Sequence, residues 1–176
     1  GQVIGEDEAG GLPSRFLGQF GIEARVDGGK TWQKRWFAQL AATSCRFYQS
    51  AEIFNCAYNH GVYQTGYRYR NRSVGHAADN DARIASAGIL LMHENGTQWQ
   101  ALLRYGALNR GDNPDSRNSL TPTRKDFYSI DLSYARSMRF GRVEIGAGLL
   151  REDDPLSAGH ENLARAYLQW NSGYQY

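Results

Sequence analysis

Apolar and polar residues alternate with a two-residue period along most of the chain, and this period predicts β-strands. In the clearest case, the even positions from Phe16 to Val26 are apolar or small, and the odd positions between them are mainly polar. An Asn95-Gly96 pair marks a tight hairpin between two such segments. The sequence predicts an all-β, antiparallel fold of about eight strands, with alternating segments at 16–26, 32–42, 63–70, 82–93, 98–107, 128–134, 143–149 and 164–170.

The predicted strands are compatible with a membrane barrel, because strands of roughly 9 to 11 residues can cross a bilayer at a tilt. Trp32, Trp99 and Trp170 lie near strand ends, as aromatic girdles do. Short turns also alternate with long polar loops at 109–125 and 152–161. We therefore predict an antiparallel transmembrane β-barrel whose apolar face meets lipid and whose polar face meets the lumen. A soluble β-sandwich with the same alternation is the alternative.

Composition excludes several other classes. Hydrophobic residues make up 41% of the 176 positions and charged residues 22%, and no apolar run approaches the roughly 18 residues of a membrane-spanning helix. The 12% of aromatic residues is too high for a disordered chain. A net charge of +2 gives no reason to expect nucleic acid as a partner.

Residues 44–60 lose the alternation and contain both cysteines, Cys45 and Cys56. We predict a disulfide between them and hence an oxidising compartment, with two unpaired thiols as the alternative. Residues 1–176 are interpreted as one barrel domain, or half of one, that contains this irregular segment. If the chain ends in the periplasm, counting strands backwards places 44–60 at the periplasmic end and the turn Asp27–Lys30 at the extracellular end. A long periplasmic connection is atypical, so 44–60 forms a plug or helix, or a strand has been missed.

The string YNHGVYQTGYRYR at 58–70 and its continuation RSVGHAADNDAR at 72–83 resemble outer-membrane capsule-assembly proteins of the Wzi type. Further similarity lies at 102–111 and in Leu168-Gln169-Trp170. The resemblance implies a large Gram-negative outer-membrane barrel, of which this chain would be the C-terminal half. A half-barrel alone exposes two strand edges to lipid, so closure into a small eight-stranded barrel is the other possibility.

The same resemblance implies a lectin that holds capsular or other surface polysaccharide at the cell surface, without catalysis and without a cofactor. The other expected partners are outer-membrane lipid, lipopolysaccharide and the barrel-assembly machinery, which would read the final aromatic residues Tyr174 and Tyr176. A porin-like diffusion channel is the alternative function, and it would need an open lumen.

Candidate sugar-binding residues cluster in the same string. Arginine forks bind the carboxylates of uronates, and Asp, Asn and His side chains bond sugar hydroxyls. Tyr63, Tyr67 and Tyr69 are left out, because the alternation points them at lipid. The tentative set, which could instead form ion pairs that hold the barrel's shape, is Arg68, Arg70, Arg72, His76, Asp79, Asn80, Asp81, Arg83 and Arg104. Asp79-Asn80-Asp81 lacks the glycine and the distant glutamate of a calcium loop, so no metal site is predicted.

Overall fold

The computed structural model describes residues 1–9, 12–27, 29, 31–63, 65–155 and 159–172, and for 6–9 and 12–14 it describes the backbone alone. The predicted turn at Asp27–Lys30 and the loop 152–161 therefore lie partly outside the described residues. Tyr174 and Tyr176 lie wholly outside them. Among the residues described, no helix has the length and hydrophobicity needed to cross a bilayer.

Ten β-strands make up the regular structure. Eight of them form one antiparallel sheet in the order β1-β2-β3-β6-β7-β8-β9-β10, and β4 pairs with β5 in a small separate hairpin. Within the described residues β1 and β10 are the two edges and do not pair with each other, so the sheet is open. The prediction of an all-β antiparallel fold is confirmed. The strands are β1 (Gln2–Ala9), β2 (Leu12–Asp27), β3 (Trp32–Ala42), β4 (Arg68–Tyr69), β5 (Arg72–Ser73), β6 (Arg83–His93), β7 (Gln98–Leu108), β8 (Lys125–Met138), β9 (Gly141–Asp154) and β10 (Gly159–Asn171).

The strand register gives the sheet one apolar face and one polar face. Leu103 is paired with Ala87 on one side and with Ile130 on the other, so an apolar row crosses three strands. Large side chains on this face are exposed: Phe20 is 46% accessible, Leu103 52% and Leu168 74%. No second layer of the described chain covers them. The described residues by themselves therefore do not form a β-sandwich, in which the same side chains would be buried.

The prediction that 63–70 is a strand of the sheet is wrong. Strands β3 and β6 pair directly with each other, from Trp32↔His93 to Ala42↔Arg83, so no strand lies between them. The Tyr67 amide instead donates to the Tyr58 carbonyl at 2.9 Å. The eighth strand of the sheet is β1, which the sequence did not predict. The number of strands in the sheet therefore agrees with the prediction, but their membership does not.

Removing 63–70 from the sheet also corrects which connections lie at which end of the strands. The long connections 43–82 and 109–124 lie at the same end. The short turns after β2, β6 and β8 lie together at the opposite end, where the Glu94 amide donates to the Thr31 carbonyl at 3.0 Å and the Ser137 amide to the Gly96 carbonyl at 3.3 Å. The predicted placement of 44–60 at the end with the short turns, and of Asp27–Lys30 at the end with the long loops, is wrong.

The predicted disulfide is confirmed. Cys45 and Cys56 are bonded to each other with their Cα atoms 6.0 Å apart. The Cys45 amide donates to the Ile53 carbonyl at 3.0 Å, and the Ile53 amide donates back at 2.8 Å. The covalent link and this bridge hold the segment 45–56 as a closed loop.

Candidate functional site

The two long connections 43–82 and 109–124 pack together at one end of the strands, and we call them the loop module. Its small apolar core contains Leu17, Cys45, Ala57 and Tyr58. Leu17 lies two residues before Gln19, a residue of the polar face, so the side chains of both project from that face. Leu17 is 2% exposed. This part of the module therefore packs on the polar side of the sheet, whereas Phe47 of the same module packs against Phe20 on the apolar side.

Arg68 and Asp79 form a buried ion pair at the centre of the module. Arg68 Nη2 donates to Asp79 Oδ1 at 2.9 Å and Nε donates to Oδ2 at 3.4 Å. Their side chains are 5% and 0% exposed. Arg68 Nη1 also donates to Asn59 Oδ1 at 2.7 Å. Because a buried charge without partners is strongly unfavourable, this satisfied fork fixes the position of β4 against the 79–81 turn.

Amide side chains connect that turn to the second long loop. Asn80 Nδ2 donates to Asp115 Oδ2 at 3.2 Å, and Asn118 Nδ2 donates to Asn80 Oδ1 at 3.0 Å. Asp79 and Asp81 both have a φ of 58°, a left-handed conformation that Asp and Asn tolerate better than other non-glycine residues. The Asp and Asn residues thus serve both the backbone shape and the hydrogen bonding of the module.

Burial and local charges perturb several acids of the module. Burial, together with nearby Asp115, raises the pKa of Asp81 to about 6, and in the described residues Asp81 Oδ1 has no hydrogen-bond partner. Burial opposes ionisation of Asp115 as well, but hydrogen bonds from Arg117 outweigh it and hold the pKa below its usual value. Burial lowers the pKa of His76. Among the acids of the module, Asp81 thus has a pKa well above the ordinary value of a carboxyl group.

A second ion cluster lies where the loop module meets β6. Glu52 accepts hydrogen bonds from Ser44, Arg83 and Arg110, with Arg110 Nη1 at 3.0 Å from Oε2. Burial raises the pKa of Glu52, but these hydrogen bonds and charges outweigh it, so its pKa lies below the usual value. Arg83 is 53% exposed, so one side of this cluster faces solvent.

The polar face of the sheet carries its own row of charges. Asp131 on β8 accepts from Arg104 at 2.6 Å and from Arg165 Nε at 3.0 Å. Gly148 lies beside them, and a Cβ there would stand 2.1 Å from Asp131 Oδ1. The glycine therefore provides space for the charged side chains. Arg104 belongs to this row in the middle of the sheet and not to the loop module.

The outer face of the β4–β5 hairpin presents residues that the sequence prediction excluded. Tyr67 and Tyr69 are 61% and 67% exposed, and Val74 is 71% exposed. The alternation had assigned both tyrosines to the lipid face, which requires them to be in a strand of the sheet. Since they lie in the loop module instead, this reason for leaving them out does not hold.

The structure separates the nine predicted residues into groups. It brings Arg68, Asp79, Asn80 and Asp81 together, but buried inside the module and not at an open rim. His76 is half-buried, and its Nδ1 accepts from the Ala78 amide at 3.1 Å. Arg83 and Arg104 are exposed or partly exposed in ion pairs. Arg70 and Arg72 are exposed at the tip of the hairpin. Within the described parts of the chain, no three His, Cys, Asp or Glu side chains converge as metal ligands would.

An antiparallel sheet with an uncovered apolar face and a charged opposite face is the arrangement that strands of a β-barrel have. The comparisons identify the family: the model of the capsule assembly protein Wzi matches residues 1–151. The chain belongs to the Wzi capsule-assembly family, as the resemblance predicted. No curated protein matches it.

A solved structure is similar to this chain. It is described as Wzi of Escherichia coli, an outer membrane protein involved in group 1 capsule assembly and a carbohydrate-binding β-barrel. The identity is 24% and the TM-score is 0.74, over 94% of this chain and 36% of that one. The chain thus spans about a third of the length of that structure. The localisation of that protein agrees with the outer membrane predicted from the sequence.

Proposed function

We propose that this chain is part of an outer-membrane β-barrel that binds capsular or other surface polysaccharide and retains it at the cell surface without altering it chemically. The observation that carries the proposal is the sheet itself. One face is apolar and uncovered, the other is charged, and the large polar loop module is fixed at one end of the strands. Family membership supplies the polysaccharide as the ligand.

The apolar face fits acyl chains. Its side chains, among them Leu40 at 62% exposure and Leu149 at 60%, would be unfavourable in water and favourable in lipid. The free backbone groups on β1 and β10 would cost several kcal/mol each in a bilayer. We therefore propose that both edges pair with further strands in the intact barrel. Outer-membrane lipid, lipopolysaccharide and the barrel-assembly machinery are partners under this proposal.

The candidate residues have different roles in this proposal. Arg70 and Arg72 contact the polymer directly, and the partly accessible side chains of Arg83 and His76 provide further contacts. Arg68 acts with the buried Asp79, Asn80 and Asp81 to position the hairpin. Arg104 lies on the polar face and would meet polymer that enters the lumen.

A diffusion channel is the second candidate, and the polar face favours it. Its paired charges, such as the Arg35–Glu23 fork at 2.7 Å and 2.8 Å, suit a wet lumen. Conductance of the full-length protein in a planar bilayer separates the two functions. A polysaccharide-binding barrel whose mouth carries the loop module should pass little current, and large steady currents would favour the channel.

The experiment that tests the proposed function compares encapsulated cells with and without the gene. We expect total polysaccharide to be unchanged and the cell-bound fraction to fall, with the remainder released into the medium at unchanged polymer length. An unchanged cell-bound fraction would contradict retention. Polymer that is shorter when the protein is present would contradict the absence of catalysis.

A further inference from the structure

We infer that the outer face of the β4–β5 hairpin is the surface that recognises the polymer, and that it selects acidic sugars. In this arrangement, sugar rings stack on Tyr67 and Tyr69, and Arg70 and Arg72 bind carboxylates. The inference rests on the proposed function, and it names the contact surface and the chemical class of the ligand.

The hairpin register places the key side chains on one face. Tyr69 pairs with Arg72, and Arg68 pairs with Ser73. The Val74 amide donates to the Tyr67 carbonyl at 3.0 Å, which continues the ladder. Since side chains alternate along a strand, Tyr67, Tyr69 and Arg72 share the face opposite Arg68. The two tyrosines are about 6.6 Å apart along the strand, so they form adjacent platforms.

The inner face holds this surface rigidly in place. Arg68 is fixed by its buried fork to Asp79. Behind the hairpin, Gly66 has a φ of 56°, and a Cβ there would lie 2.0 Å from the Tyr58 carbonyl oxygen. Glycine is thus required for the close approach that seats the hairpin on Tyr58. A surface fixed before binding loses little conformational entropy when the ligand arrives.

Unpaired positive charge gives the surface its preference for acidic sugars. Two other arginines of the module are neutralised: Arg68 pairs with Asp79 at 2.9 Å, and Arg110 with Glu52 at 3.0 Å. Within the described residues Arg70 and Arg72 form no ion pair. Arg70 instead lies over the Tyr69 ring, 5.3 Å from its centroid. A planar guanidinium beside an aromatic ring can bind a carboxylate with two hydrogen bonds while the sugar stacks on the ring.

The turn at the hairpin tip gives independent support. Arg70 and Asn71 have φ values of 49° and 60°, which makes a two-residue turn with both central residues left-handed. Asn-Gly is the favoured sequence for such a turn, and an arginine in this conformation is strained. Strained residues cluster at ligand-binding sites. The exposed Arg70 is therefore held in a strained conformation at the tip of the hairpin, which is compatible with a ligand contact there.

The location favours free polymer over lipid headgroups. Tyr58, which carries the hairpin, packs against Leu17 in the module core. Leu17 projects from the polar face, so this support lies on the side away from the proposed lipid contact. Lipopolysaccharide phosphates are the competing anion, and the experiment includes them.

The test uses the full-length protein in detergent micelles, with alginate oligosaccharides as the all-uronate probe and dextran as the neutral probe. The wild type should bind alginate and not dextran. Combined Tyr67→Ala and Tyr69→Ala should weaken alginate binding about tenfold or more. Arg72→Gln should weaken it about tenfold and reduce its salt dependence.

Matched controls lie elsewhere on the chain. Tyr48 is an exposed tyrosine of the same module, 54% accessible. Arg139 is an exposed arginine in the short turn between β8 and β9, at the opposite end of the strands. Tyr48→Ala and Arg139→Gln should leave alginate binding unchanged. Hydrogen exchange over 43–82 that matches the wild type verifies that the hairpin variants remain folded.

The outcomes separate the inference from the proposed function. Full binding by the hairpin variants, or equal binding of dextran and alginate by the wild type, would overturn the inference. So would a loss confined to lipopolysaccharide vesicles with alginate binding intact. If the wild type binds neither these probes nor polysaccharide from its own cells, the proposed function itself fails.

Discussion

Asp79 and Asp81 are two residues apart, equally buried and both left-handed, yet replacing each with asparagine should have opposite effects. Asp79 accepts four hydrogen bonds, two from Arg68 and one each from the amides of Asn80 and Ser119. Asp79→Asn leaves the buried Arg68 charge without its main partner. Breaking a buried ion pair costs about 3 to 5 kcal/mol. We expect about 3 kcal/mol, because Asp115 Oδ2 lies 3.9 Å from Arg68 Nη2 and supplies some compensation.

Asp81 is in the opposite situation, because its pKa in the folded module is raised to about 6 from an ordinary 3.8. A raised carboxyl pKa means that folding is most favoured while the group is protonated, and this stability is lost as the pH rises from about 4 through 6. A pKa difference of one between the folded and unfolded states corresponds to about 1.4 kcal/mol of folding free energy, so the ionisation of Asp81 lowers the stability by about 3 kcal/mol. Asp81→Asn removes this loss and leaves one amide hydrogen unpaired, at about 1 kcal/mol. The variant should therefore be about 1 to 2 kcal/mol more stable at pH 7.5, with the gain disappearing near pH 4.

Hydrogen exchange of amides in 43–82, in the full-length protein in detergent, measures the free energy of opening this segment. Intrinsic exchange rates are corrected for pH, and titration of His76 and Glu52 cancels when each variant is compared with the wild type at the same pH. The reasoning is refuted if both substitutions destabilise the segment equally. It is also refuted if the Asp81→Asn difference does not change between pH 4 and pH 7.5.

Three further predictions concern other parts of the molecule. Replacing Cys45 and Cys56 together by serine should destabilise the closed loop by about 3 kcal/mol and be seen as protease cleavage within 44–60; resistance equal to the wild type would argue against it. Arg70→Asn should relax the hairpin turn by about 1 kcal/mol, measured by slower hydrogen exchange, while weakening alginate binding, so unchanged binding would count against the arginine contact. Leu103→Arg should lower folding stability in bilayers by about 2 to 4 kcal/mol, whereas Gln100→Arg on the polar face should change it by less than about 1 kcal/mol. Equal effects of these last two substitutions in a refolding titration would contradict the assignment of the faces.

Local sequence was sufficient where a strand alternates clearly between apolar and polar residues or where a turn has a diagnostic sequence. The Asn95-Gly96 pair correctly predicted the β6–β7 hairpin, and simple alternation located β7 to β10. It was insufficient for β1, whose residues QVIGEDEA are too acidic to show an apolar face. Pairing with β2, and not its own pattern, defines that strand.

The loop module shows why the candidate site was predicted only in part. Residues 63–70 alternate as convincingly as a barrel strand, because Tyr67 and Tyr69 face one way and Arg68 the other. Contacts with residues distant in sequence decide the outcome, such as Asn118 bonding to Asn80 across 38 positions. Asp and Asn usually lie at the surface, so their burial here could not be predicted without those partners.

The central claim is that acyl chains contact the apolar face of the sheet. Both cysteines of the chain are bonded to each other, so single nitroxide labels can be placed at Leu103→Cys on the apolar face and Gln100→Cys on the polar face, after any free cysteine elsewhere in the full-length protein is replaced by serine. In liposomes containing the full-length protein, the label at 103 should collide readily with oxygen and rarely with a water-soluble nickel chelate, and the label at 100 should show the reverse. A label at 103 that is reached by neither reagent would place a dry protein interior over this face and contradict the account.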